Sequence, residues 1–270
     1  MLRFLLVLAL AYAGLAAFAL LTADRQIFLP PAPSYGADDL PLLRIPTVDG
    51  AEIAALHLPN PGSSITLLVS HGNAEDLGYL APFLAEMREA GFGVLAYDYR
   101  GYGRSSGPRA TERGAYRDGE AVYRYAVEVL KIPPRRIVLF GRSVGVGPAV
   151  HLAARERVGG LVVESGFTSA LVVVTRVPIF PFDRFPNLRR IEKVTCPVLI
   201  IHGAEDAIIP PSHGRALYAA AREPKTLVIF PRAGHNDLAW VAGEAYWKAL
   251  RQFGDFVAGG LRPPAAPGVD

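Results

Sequence analysis

Gly141-Arg142-Ser143-Val144-Gly145 stands where the apolar run Arg136-Ile137-Val138-Leu139-Phe140 stops and the helix-like Pro148-Ala149-Val150-His151-Leu152-Ala153 begins. A serine at such a strand-to-helix junction is a candidate nucleophile. The turn that exposes it is so tight that the positions two before and two after have room only for glycine. With 27 glycines in 270 residues the motif can arise by chance, so its surroundings must decide.

Those surroundings alternate. Strand-like apolar runs near residues 65–70, 93–98, 136–140, 160–164, 197–202 and 226–230 are separated by stretches with helical spacing. Ahead of them, Val48-Asp49-Gly50-Ala51 reads as a hairpin turn joining strands at 43–48 and 52–58. The pattern predicts a mostly parallel, doubly wound sheet with helices on both faces, and no internal repeat is visible.

Two further residues follow the serine at strand ends. Asp206 lies in the loop His202-Gly203-Ala204-Glu205-Asp206 after Val198-Leu199-Ile200-Ile201, and His235 in Pro231-Arg232-Ala233-Gly234-His235-Asn236-Asp237 after Thr226-Leu227-Val228-Ile229-Phe230. Open α/β sheets place their chemistry at this carboxyl edge. A serine hydroxyl needs a base to remove its proton, and the imidazole of His235 suits that role. A carboxylate that fixes the imidazole tautomer and stabilises the imidazolium is the role expected of Asp206. The developing oxyanion requires backbone N–H donors, expected from Val144, which follows the serine, and from Asn73 in the loop Ser70-His71-Gly72-Asn73-Ala74-Glu75-Asp76.

Taken together, His71-Gly72-Asn73-Ala74-Glu75-Asp76-Leu77-Gly78, Tyr97-Asp98-Tyr99-Arg100-Gly101-Tyr102-Gly103-Arg104-Ser105-Ser106-Gly107, the serine motif, Glu164-Ser165-Gly166-Phe167-Thr168-Ser169 and Gly234-His235-Asn236-Asp237 resemble the membrane-anchored α/β-hydrolase-domain serine hydrolases. Within these the chain is similar to the bud-emergence-suppressor-like branch, which includes protein depalmitoylases. The resemblance spans roughly residues 40 to 257 and implies an α/β-hydrolase fold, hydrolysis of esters or thioesters, and Ser143, Asp206 and His235 as the matching triad positions. Depalmitoylase members carry a cysteine-rich, lipid-modified amino-terminal tail, whereas the one cysteine here is Cys196.

Other residues admit plainer readings. Glu164 also ends a strand near Ser143 and is the alternative triad acid. Asp98 reads as a structural acceptor for the Arg100-Gly101 turn, and His71 and His202 as loop residues. Arg142 is expected to face the site mouth or a neighbouring loop. Cys196, before Pro197, reads as a small buried residue and excludes an intramolecular disulfide. No histidine pair has metal-ligand spacing, and Gly101-Tyr102-Gly103 lacks the rest of a dinucleotide fingerprint, so neither a metal nor another cofactor is expected. With 28 basic and 25 acidic residues interspersed, the net charge of +3 marks no basic stripe, which argues against a nucleic-acid partner.

At the amino terminus, residues 4–21 carry no charge and lie between Arg3 and Asp24-Arg25. This is near the length needed to span a bilayer. A single-pass membrane anchor at 1–23 is therefore expected; Ala17-Phe18-Ala19 leaves a cleaved signal peptide as the alternative. With Arg3 on the cytoplasmic side, the catalytic domain would be extracytoplasmic. Residues 24–41, with Pro30, Pro31, Pro33 and Pro41, read as a Pro-rich linker, 42–257 as the α/β-hydrolase domain and 258–270 as a flexible tail. Between Gly166 and Lys193 the rhythm lapses into Val177-Pro178-Ile179-Phe180-Pro181-Phe182-Asp183-Arg184-Phe185-Pro186, which reads as a short lid. Its three phenylalanines either line an acyl pocket, touch lipid or pack over the sheet.

The expected function is a cofactor-independent serine hydrolase acting through an acyl-enzyme on a small-molecule or lipid-like acyl substrate, or on an acylated protein. A peptidase for small substrates and a non-catalytic, membrane-tethered binding module are the alternatives.

Overall fold

The computed structural model describes residues 1–259. Eight strands form one sheet in the order β1-β2-β4-β3-β5-β6-β7-β8: β1 Leu42–Pro46, β2 Glu52–Leu58, β3 Thr66–Ser70, β4 Gly93–Tyr97, β5 Ile137–Arg142, β6 Gly160–Glu164, β7 Val198–Gly203 and β8 Lys225–Phe230. The β1-β2 and β2-β4 pairs are antiparallel, and every pair from β3-β4 to β7-β8 is parallel. Helices α1 Leu2–Ile27, α2 Leu77–Glu89, α3 Glu112–Glu128, α4 Val146–Ala153, α5 Ala170–Thr175, α6 Asn187–Ile191, α7 Pro211–Ala220, α8 Leu238–Ala242 and α9 Glu244–Val257 complete the described chain. This is the α/β-hydrolase architecture.

The sheet is buried on both faces, which is why its strands read as unbroken apolar runs. Alternate side chains separate into two cores. Leu68, Leu95, Leu139, Leu161 and Ile200 pack on one side with Val122 and Val150 from α3 and α4. On the other side Leu67, Val94, Phe140, Val162 and Ile201 meet Leu80 and Leu84 of α2 and Tyr246, Leu250 and Phe253 of α9. The spacing of these last three puts them on one helical face. Each such fully buried side chain contributes roughly 1.5–3 kcal/mol.

One segment differs from the expectation. Helix α1 continues to Ile27, and the stretch read as a linker lies against the domain: Phe28 and Tyr35 are buried, Ser34 donates to Asp76 and the Tyr35 hydroxyl to Asp98. Arg109 caps the end of α1 by donating to the carbonyls of Arg25 and Phe28 at 3.2 and 2.9 Å. Proline here breaks the helix without preventing packing. The lid between β6 and β7 comprises α5, an irregular turn and α6. Phe185, at φ +51°, sends its ring into the space beside Gly147, where a Cβ would lie 2.1 Å from it. That ring packs over the sheet against Phe28, Phe167 and Tyr116.

Helix α1 is long and apolar enough to cross a membrane, and no residue of its most apolar window is buried in the protein. The expected flexible tail lies, from residue 260 onward, outside the described residues.

Candidate active site

The serine turn is held by close packing. Ser143 has φ +52°, a left-handed conformation that costs a non-glycine residue of order 1–3 kcal/mol. A Cβ on Gly145 would lie 2.0 Å from the Ser70 carbonyl oxygen, and one on Gly141 2.7 Å from that of Gly145. The turn is thus pressed onto the end of β3, beside the loop that begins at His71.

His235 Nε2 is 3.0 Å from Ser143 Oγ, and His235 Nδ1 is 2.7 Å from Asp206 Oδ2. The second carboxylate oxygen of Asp206 accepts the N–H groups of Ile208 and Ile209 at 3.0 and 2.7 Å. Burial alone would raise the pKa of this carboxyl, but the donors from His202, His235 and Ile209 outweigh it and hold Asp206 below the usual carboxylate range. The loops after β7 and β8 are themselves joined, Glu205 N–H donating to the Ala233 carbonyl at 2.9 Å. His202 is buried and donates through Nε2 to the Ile209 carbonyl at 2.8 Å, bracing the aspartate loop.

The loop after β3 is equally determined. Gly72 N–H donates to Glu75 Oε1 at 2.5 Å. The Asn73 side-chain oxygen accepts from Leu29 N–H, Ala74 N–H and the Tyr102 hydroxyl at 2.9, 2.9 and 2.7 Å. The exit of α1 is therefore tied to the loop expected to supply an oxyanion donor.

Beside the serine turn Arg142 faces a neighbouring loop, as expected, but its two carboxylate partners were not foreseen. Arg142 reaches Glu75 and Glu164 at 3.4 Å each, and the Tyr246 hydroxyl donates to Glu164 at 2.5 Å. Burial pushes the Glu164 carboxyl up, against the pull of Arg142. Glu164 thus serves Arg142 and Tyr246, while His235 pairs with Asp206. The local signal for Glu75 is its spacing three residues after Gly72. Asp98 accepts from Leu77 N–H and Tyr35, whereas Arg100, whose turn it was expected to support, pairs with Asp118 and Asp49.

A cavity of about 410 Å³ opens over Ser143 and His235, with Asn73 and Val144 in its wall. Its apolar lining comes from Ile27 of α1, Phe167, Val173 and Val174 of the lid region, and Ile208 and Ile209. The three lid phenylalanines do not line it: Phe180 and Phe182 stack on each other at 5.3 Å, and Phe185 belongs to the core. Among the described residues no group of three His, Cys, Asp or Glu is placed to hold a metal.

The family model described as Serine aminopeptidase, S33 matches residues 63–174 and 187–239, a range that contains the serine turn and both loops that meet it. The chain belongs to this Hydrolase_4 family. Human alpha/beta hydrolase domain-containing protein 17B is 38% identical over 216 residues, 78% of this hydrolase and 73% of that protein. In fold, the hydrolase is similar to the Pyrococcus furiosus esterase Pf2001, with a TM-score of 0.72 at 18% identity over 86% of this chain and 100% of the esterase. It is also similar to a membrane phospholipase A, with a TM-score of 0.62 at 21% identity over 96% of this chain and 100% of that one.

Proposed function

We propose that this hydrolase cleaves carboxylic ester or thioester bonds through an acyl-enzyme formed on Ser143. The observation that carries the reading is the continuous chain Ser143 Oγ, His235 Nε2, His235 Nδ1, Asp206 Oδ2, with contacts of 3.0 and 2.7 Å. His235 takes the hydroxyl proton as Oγ attacks the substrate carbonyl, and Asp206 stabilises the imidazolium. The oxyanion is received by the N–H groups of Val144 and Asn73; that of Gly72 is already engaged by Glu75. His235 then protonates the leaving group, and water, activated by the same imidazole, releases the acid.

The apolar cavity wall favours an acyl group on the acid side of the bond. An aminopeptidase needs a carboxylate for the substrate amine. Glu75, which also borders the cavity, is instead committed to Gly72 N–H and Arg142. Helix α1 holds the domain to a membrane, facing outward if Arg3 stays cytoplasmic. The membrane phospholipase A neighbour supports the compatibility of this fold with such a setting.

The test is turnover of p-nitrophenyl esters of increasing acyl length, with fluorophosphonate labelling, by the full chain and its Ser143→Ala variant. Labelling and turnover abolished in the variant are expected. A folded wild-type protein that neither labels nor turns over would overturn the proposal in favour of a binding module.

A further inference from the structure

The lid touches α1 at two levels, near Tyr12 and near Leu20. Residues 4–21 of α1 extend about 27 Å at ~1.5 Å per residue, close to the ~30 Å hydrocarbon thickness of a bilayer. Tyr12 falls near the middle of that run, yet its hydroxyl donates to the Ile179 carbonyl at 2.8 Å and its ring stacks on Phe180. Nearer the domain, Arg184 donates to the Leu20 carbonyl at 3.0 Å and pairs with Asp24 at 3.4 Å. The lid therefore runs beside α1 from the charged end of the apolar run to its midpoint.

The chemistry of the lid changes at the same places. Val177-Pro178-Ile179-Phe180-Pro181-Phe182 carries no charge and is bounded by Arg176 and by Asp183-Arg184. Val177 and Ile179 are exposed, at 54% and 43%. An unpaired backbone polar group is costly at membrane depth, so those of the lid that are paired or missing matter. Here Pro178 and Pro181 have no N–H, Ile179 N–H and Thr175 Oγ1 both donate to the Val177 carbonyl, and Tyr12 covers the Ile179 carbonyl. A tyrosine at mid-span and a loop carbonyl, each costly alone in hydrocarbon, satisfy one another.

We infer that residues 177–182 insert into the same bilayer leaflet as the domain-proximal half of α1, and that the substrate is an ester of a membrane lipid whose acyl chain enters the cavity from that leaflet. The partner surface is a phospholipid bilayer. Ile27, where α1 ends, and Val173 and Val174, where the lid begins, form part of the cavity wall, so the entrance lies where both elements leave the lipid. The substrate half of the inference rests on the acyl-enzyme reading; the insertion half does not.

The full-length chain carrying Trp240→Phe and Trp247→Phe, with Phe180→Trp as its one indole, is reconstituted in phosphatidylcholine vesicles with or without bromine on the acyl chains. Several-fold quenching by the brominated lipid is expected; equal emission from both vesicles would overturn insertion. Phe182→Trp in the same background repeats the measurement should the first variant fail to fold. In parallel, Ile179→Asp is expected to lower fatty-acid release from the vesicle lipid about tenfold or more while leaving a soluble short ester unaffected. Quenching together with soluble-ester turnover but no release from vesicle lipid would overturn the lipid-ester substrate. Loss of all turnover in the wild type, with quenching intact, would instead count against the acyl-enzyme reading.

Discussion

Gly72 N–H and Glu75 Oε1 lie 2.5 Å apart, and through Glu75 the loop after β3 is tied to Arg142 inside the serine turn. The same guanidinium holds Glu164. One half-buried cation thus sets the relation between the two backbone segments that would supply the oxyanion donors.

Glu75→Gln keeps the shape of the side chain but weakens both contacts. It is expected to lower kcat about 10- to 100-fold with little change in KM, because the loss falls on the oxyanion rather than on the bound substrate. Steady-state kinetics on a soluble ester decide this; a change confined to KM would remove Glu75 from the positioning role.

Arg142→Met leaves Glu164 buried without its cation. Destabilisation of about 3–5 kcal/mol is expected, and adding Glu164→Gln should recover much of it, since replacing a whole buried pair costs far less than breaking it. Urea unfolding of wild type, of each single variant, Arg142→Met and Glu164→Gln, and of the double variant tests the coupling. Additive losses would show that Arg142 and Glu164 act independently.

Much of this arrangement was legible in the sequence because strands buried on both faces must be continuously apolar. Ile137-Val138-Leu139-Phe140 and Val198-Leu199-Ile200-Ile201 announce β5 and β7, and the residues just beyond them then stand at the sheet edge where Ser143, Asp206 and His235 come together. What was not legible depends on pairing between distant segments. Arg142, Glu75 and Glu164 are polar residues in three separate loops or strand ends, and nothing local says that they share one buried site. Phe28 and Tyr35 sit in a proline-rich stretch whose composition signals irregular backbone and is silent about burial. Ile27 reaches the cavity only because α1 overruns its expected end and is capped by Arg109.

Asp206 is ionised in the folded protein and held below the usual carboxylate range, whereas in the unfolded chain its pKa returns to about 3.9. A lowered folded pKa contributes stability that is fully present above the unfolded value and fades as pH falls toward the folded one. The stability gap between wild type and Asp206→Asn should therefore be widest above about pH 5 and narrow on acidification, while kcat at neutral pH falls by about 10⁴-fold. Urea midpoints from neutral to acidic pH supply the check; a gap independent of pH would contradict the assigned electrostatics.

Gly145 has no room for even one carbon: an added Cβ would approach the carbonyl oxygens of Ser70 and His71 to 2.0 and 2.6 Å. Backbone on both sides cannot yield without moving β3 away from the serine turn. Gly145→Ala is expected to destabilise the domain by about 3 kcal/mol or more and to lower turnover in whatever protein still folds. A thermal midpoint and specific activity equal to wild type would mean that the turn is far less constrained than these contacts imply.

Ile27 offers a way to ask whether α1 is part of the acyl site or only a tether. Its side chain lines the cavity beside Val173 and Val174, so a larger group there removes space from the end of the site nearest the helix. Short acyl groups bound close to Ser143 would not meet it. Ile27→Trp should therefore leave short-chain esters almost untouched and lower kcat/KM for long-chain esters about tenfold or more, the range that one or two methylenes in a hydrophobic pocket command. Ile27→Ala should move the optimum the other way, toward longer chains. If both variants keep the wild-type chain-length profile, the acyl chain does not reach α1, and the helix contributes a tether without shaping substrate choice.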